Sequence, residues 1–129
     1  MSEGRLVRRL LIRLGLVVIV AAALVSSRET FAHALLLESI PSAGATEASP
    51  PRLVLRFNGR IEKRLSRVVM VGGRDTRSIA LDAPEASRAD TLVYSLPVLA
   101  TGSWEARWRV LSVDGHVTEG RVGFTVRQP

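Results

Sequence analysis

Only two histidines occur in the 129 residues, His33 and His116. His116 closes the segment Val113-Asp114-Gly115-His116, so a carboxylate and an imidazole stand two residues apart across a glycine. Side chains of these types ligate metals or move protons. Taken singly, each has an ordinary reading. A histidine in a turn is usually solvated, Asp-Gly is a common turn pair, and a histidine beside a first strand usually does nothing. The three residues together ask for more, and what they can do depends on the elements that hold them.

Trp104 to Val126 reads as two strands joined across that segment. Trp104, Ala106, Trp108 and Val110 fall at every second residue, with Glu105, Arg107 and Arg109 between them. Val122, Phe124 and Val126 alternate with Arg121, Gly123 and Thr125 in the same way. Alternation of this kind marks half-buried strands, because successive β side chains point to opposite faces. Asp-Gly suits the connection, since glycine tolerates positive φ and aspartate bonds nearby backbone. Asp114 and His116 are therefore expected to flank the tip of a rigid hairpin.

His33 depends on how the chain begins. Arg5, Arg8, Arg9 and Arg13 precede an uncharged apolar run from Leu14 to Val25, and Ser26 to Ala32 follow. This is the order of a secretory signal peptide, basic then apolar then cleavage region. A cut after Ala32, with Thr30 and Ala32 as the small residues before it, leaves a domain of residues 33–129 that starts at His33. The alternative, an uncleaved anchor, is disfavoured by a run of twelve where a spanning helix needs about 20 residues. Arg8-Arg9 also resembles a twin-arginine export signal weakly, and the ordinary secretory route is preferred.

Net charge is +6, but half of it lies in residues 1–32, which hold five arginines against two glutamates. The remainder carries a modest excess with no basic run and no interleaved aromatics, which argues against nucleic acid binding. There is no cysteine. The domain must hold itself together by its core, and thiolate metal sites, including blue copper, are excluded.

From residue 33 the chain reads as short strands between turn signals. His33–Ile40 ends at Pro41, Pro50-Pro51 makes a second break, and Leu53, Leu55 and Phe57 alternate before Asn58-Gly59. Ile61 to Val71 is ambiguous, because Ile61, Leu65 and Val68 have helical spacing while Val68–Val71 is β-branched; a loop and then a strand is expected. Arg77–Leu81 and Leu92–Leu96 give two more strands. About seven short strands without a long helix predict an all-β sandwich, with Trp104, Trp108, Phe124, Phe57 and Leu55 between the sheets.

A free terminal His33 supplies an α-amine and an imidazole nitrogen that chelate in one ring. His116 adds a third nitrogen and Asp114 an oxygen. Nitrogen and oxygen donors in a near-square set suit Cu(II), which stands highest in the divalent affinity order. Zn(II) accepts the same atoms but prefers a tetrahedron. Protons compete for both kinds of nitrogen, so binding is expected to weaken below about pH 6.5, the reference value for imidazole. Before cleavage the His33 nitrogen is an amide, and the leader is expected to keep the site incompetent.

These residues resemble the CopC family of exported copper-resistance proteins. The resemblance runs through His33-Ala34, Ser39-Ile40-Pro41, Gly44-Ala45 and Leu53-Val54-Leu55-Arg56-Phe57. It continues through Trp108-Arg109-Val110-Leu111-Ser112-Val113-Asp114-Gly115-His116, then Gly120 and Gly123-Phe124-Thr125-Val126. It implies an immunoglobulin-like β-sandwich of cupredoxin-type topology and one Cu(II) per chain at His33, Asp114 and His116. It also implies a periplasmic location and a CopD-like inner-membrane partner. The best-known members carry a Cu(I) site in a methionine-rich loop. Here Met1 and Met70 are the only methionines and Met1 leaves with the leader, so no Cu(I) site is expected. A monomer that binds rather than catalyses is expected, in sequestration, resistance or delivery to an importer. Two competitors are an oxidative copper enzyme, which also uses an amine-plus-imidazole brace, and an immunoglobulin-like interaction module with an accidental histidine pair. The Asp114 carboxylate would favour Cu(II) and oppose the reduction that oxygen activation requires.

Overall fold

The structure, a computed structural model, describes residues 4–5, 7–8, 34–74, 76–82 and 84–128. The chain divides into two compact units, residues 1–31 and 32–129. In the first unit the described residues, Gly4, Arg5, Val7 and Arg8, are helical. No helix among the described residues is long and apolar enough to cross a membrane. The apolar run and cleavage region of the expected leader lie outside the described residues, as does His33.

Among the described residues of the second unit there are eight strands: β1 (Leu36–Ile40), β2 (Thr46–Glu47), β3 (Arg52–Phe57), β4 (Arg67–Gly72), β5 (Arg77–Leu81), β6 (Thr91–Ser95), β7 (Gly102–Leu111) and β8 (Val117–Val126). They form a three-stranded sheet, β1-β3-β6, and a five-stranded sheet, β2-β8-β7-β4-β5. The pairings are antiparallel except β2 with β8, which run parallel. Seven of these strands are those expected from the sequence, and alternation marks β3, β6, β7 and β8 among them. The eighth, β2, has two residues and no period to show; Thr46 and Glu47 lie opposite Thr125 and Val126.

The core follows the period-two pattern. Leu53, Leu55 and Phe57 of β3 and Leu92 and Tyr94 of β6 are buried from one sheet. Val68 and Met70 of β4, Trp104, Ala106, Trp108 and Val110 of β7, and Val122, Phe124 and Val126 of β8 are buried from the other. Each large side chain removed from water contributes on the order of 1.5–3 kcal/mol, which is how a chain without disulfides holds two sheets together. The sheets meet at Phe57 and Trp108, whose rings are 5.2 Å apart and edge to face at 80°. Trp104 anchors the other end of β7 and donates from Nε1 to Ala100 O at 2.8 Å.

The ambiguous stretch resolves as a 3-10 turn, Lys63–Leu65, followed by β4. Its apparent helical period is broken by Leu65, which is exposed while Ile61 and Val68 are buried. Ile61 instead forms an isolated antiparallel bridge with Ser112, at the end of β7.

Candidate metal centre

The β7–β8 hairpin is the longest ladder among the described residues, with ten residue pairs from Gly102↔Val126 to Leu111↔Val117. Sequence dictates its tip. Gly115 sits at φ +91°, a conformation that glycine adopts freely and side-chain-bearing residues resist. Its N–H donates to Ser112 O at 2.9 Å, and Ser112 N–H donates to His116 O at 2.8 Å. The tip is therefore a bonded turn rather than a loose loop.

Asp114 and His116 are held face to face by that turn. Asp114 Oδ1 accepts the His116 backbone N–H at 3.2 Å and lies 3.3 Å from His116 Nδ1. Both side chains are open to solvent, His116 at 54% and Asp114 at 41%, so an ion can reach them directly. The Asp114 carboxyl lies below its ordinary value. Desolvation pushes it up, and the His116 backbone N–H, the imidazole hydrogen bond and the imidazole charge together push it further down. Two donors bonded to one ion at about 2.0–2.2 Å stand roughly 2.8–3.6 Å apart at angles between square and tetrahedral. The observed oxygen–nitrogen separation lies in that interval, so the pair fits adjacent positions on one metal ion.

The first strand starts at the same end of the sandwich. Asn58, just past β3, exchanges hydrogen bonds with Leu35, just before β1. Two residues on, Arg60 O accepts Val113 N–H at 3.3 Å, and Glu62 N–H donates to Leu111 O at 2.8 Å. Residues 58–62 thus run from the start of β1 to the Asp114–His116 turn. This link was not legible in the sequence, where Asn58-Gly59 marks only the end of a strand. Of the three expected ligands, the structure brings Asp114 and His116 together and does not describe His33. Among the described residues no group of three or more His, Cys, Asp or Glu side chains gathers as a metal site.

Fold and site define a class: a two-sheet β-sandwich whose longest hairpin ends in an exposed acid–imidazole pair. Within that class the chain belongs to the CopC family, whose CopC domain matches residues 36–127. Copper resistance protein C of Xanthomonas campestris pv. juglandis is 30% identical over 117 residues, spanning 85% of this chain and 92% of that protein. The crystal structure of CopC from Methylosinus trichosporium OB3b superposes with a TM-score of 0.65 at 34% identity, covering 73% of this chain and 93% of that one. PcoC, a methionine-rich copper resistance protein from Escherichia coli, superposes with a TM-score of 0.61 at 25% identity, covering 74% of this chain and all of that one.

Proposed function

We propose that this chain is an exported, non-enzymatic Cu(II)-binding protein that takes up one ion at His33, Asp114 and His116. The observation that carries the reading is the exposed Asp114–His116 pair, held 3.3 Å apart at the end of the sandwich where the first strand begins. Family membership supports copper as the ion. On this reading, removal of residues 1–32 in the periplasm turns the His33 nitrogen from an amide into an amine. The amine and imidazole of His33 then complete a four-donor set with His116 and Asp114. Copper is cargo here, and the protein sequesters it or passes it to a CopD-like membrane partner. Four protein donors leave little open coordination for a substrate, which favours binding over oxidative catalysis.

Met70, the one methionine past residue 33, is fully buried in the core among β4's neighbours. Its thioether faces the sandwich interior, which supports a site for Cu(II) alone and sets this chain apart from its methionine-rich relative.

The test is Cu(II) titration of the processed protein against a competing chelator, beside His33→Ala, His116→Ala and Asp114→Asn. One equivalent should bind. Each histidine substitution should cost orders of magnitude in affinity, and Asp114→Asn less, because an amide oxygen remains. Undiminished binding by His116→Ala would overturn the assignment.

A further inference from the structure

The β1–β3 ladder continues past its last strand pair, Leu36↔Phe57, by one residue whose side chain takes over from backbone. Asn58 N–H donates to Leu35 O at 2.9 Å. Its side-chain Oδ1 accepts Leu35 N–H, also at 2.9 Å. One asparagine therefore satisfies both main-chain groups of Leu35, a residue 23 positions away in sequence. The same segment then turns to the hairpin. Val113 N–H donates to Arg60 O, Ile61 bridges Ser112, and Glu62 N–H donates to Leu111 O. Residues 58–62 hold the chain's entry on one side and the turn bearing Asp114 and His116 on the other.

We infer that Asn58 is the positioning residue of the copper site, fixing Leu35 so that a terminus generated at His33 meets the Asp114–His116 turn. This rests on the proposed Cu(II) reading. Chain termini fray unless tied down, and every loose link between an anchor and a ligand must be ordered when the ion is captured. Asn58 places the anchor at Leu35. Ala34 is buried at 2% exposure, so a cut after Ala32 leaves a single residue ahead of the fixed chain. Asn58 is itself exposed and lies outside the core, so its substitution should leave the sandwich intact. Serving the terminus through a side chain, rather than through a longer strand, also leaves the edge short.

Asn58→Ala removes the side-chain acceptor and keeps the backbone donor. Asn58→Asp keeps an acceptor. In the metal-free processed protein, Asn58→Ala should speed exchange of the Leu35 amide by about fivefold to tenfold, as expected for one lost hydrogen bond, with the sandwich still folded and its thermal midpoint lowered by no more than about 4–8 °C. It should weaken Cu(II) by a similar factor and broaden the Cu(II) electron paramagnetic resonance spectrum, as a less ordered terminus samples several geometries. Asn58→Asp should restore both Leu35 protection and the narrow spectrum. If the wild-type processed protein binds no stoichiometric Cu(II), the underlying reading falls and this inference with it. If the wild type binds and Asn58→Ala binds equally well with an unchanged spectrum, the inference alone is overturned. Unchanged Leu35 exchange in Asn58→Ala would also overturn it.

Discussion

Asp114 and His116 face each other across one hydrogen-bonded turn, and the direction of the carboxyl's shift decides how the site should respond to acid. A depressed folded-state value means that the ionised form is favoured by folding. Its contribution is present above the ordinary carboxylate value and is lost as pH falls through the depressed one. Asp114 therefore stays ionised throughout the range near pH 6.5 where imidazoles take up protons. Acid release of Cu(II) should then follow the nitrogen ligands. Asp114→Asn should lower affinity at neutral pH while leaving the acid midpoint of release near the wild-type value. A midpoint that moves by a full pH unit would show the carboxylate to be the acid trigger. At the alkaline end, Tyr94 is the single tyrosine and Lys63 the single lysine. Burial, with a smaller push from the Asp82 charge, raises the Tyr94 phenol. Its stabilising contribution is complete below its ordinary value of about 10 and is lost as pH rises through the raised one. Desolvation lowers Lys63, which acts in the opposite direction. Tyr94→Phe should flatten the loss of stability above pH ~10 in denaturant titrations, and an unaltered slope would show that the phenol titrates alike in the folded and unfolded states.

Between residues and the whole, the hairpin is the element on which the site depends, and one glycine governs how it packs. The Trp108 ring lies over Gly120, its partner on β8. A Cβ added at Gly120 would stand 2.2 Å from Trp108 Cζ2 and 2.6 Å from Cε2. The indole cannot swing aside cheaply, because it is buried and meets Phe57 edge to face across the sheets. Gly120→Ala should cost about 1–3 kcal/mol in urea unfolding, the range for overpacking a tight core. A loss under about 0.5 kcal/mol, the size of an ordinary surface change, would mean that the ring has room to move. What the sequence discloses about elements follows from the same geometry. Alternation makes β3, β6, β7 and β8 legible because one face of each is dry, whereas β4 shows only as a short β-branched run. The Asp-Gly-His tip is legible because turn chemistry is local. Two-residue β2 shows no period, and it forms where Gly44 N–H donates to Gly123 O and Thr125 N–H to Ala45 O. The bond from Leu35 N–H to Asn58 Oδ1 is likewise a product of the folded topology. A lone asparagine after a strand signals a turn with equal force whether or not it holds a distant segment.

On the scale of the molecule, the proposed ligands come from opposite ends of the domain's sequence, and on that reading copper would be a cross-link as well as a cargo. His33 precedes the first strand, while Asp114 and His116 join the last two. An ion held by both ends binds the folded state more tightly than the unfolded chain, which keeps the His33 amine–imidazole chelate but not its partners, so the full mass-action amount is an upper bound. That bound is about 2.7 kcal/mol at a free concentration one hundred times Kd. For a domain of roughly 100 residues, each kcal/mol moves Tm by about 4–8 °C, so saturating Cu(II) should raise it by up to ~10–20 °C. The same chain with residues 1–32 still attached offers an amide in place of the terminal amine, and its Tm should rise by only a few degrees, through the Asp114–His116 pair alone. His33→Ala in the processed protein keeps an amine but loses an imidazole, and should fall between the two. Calorimetry of these three proteins with and without Cu(II) separates the contributions of the cut, the terminal side chain and the turn. An equal rise in the uncleaved and processed proteins would mean that the turn binds copper without the terminus, and that cleavage does not create the site.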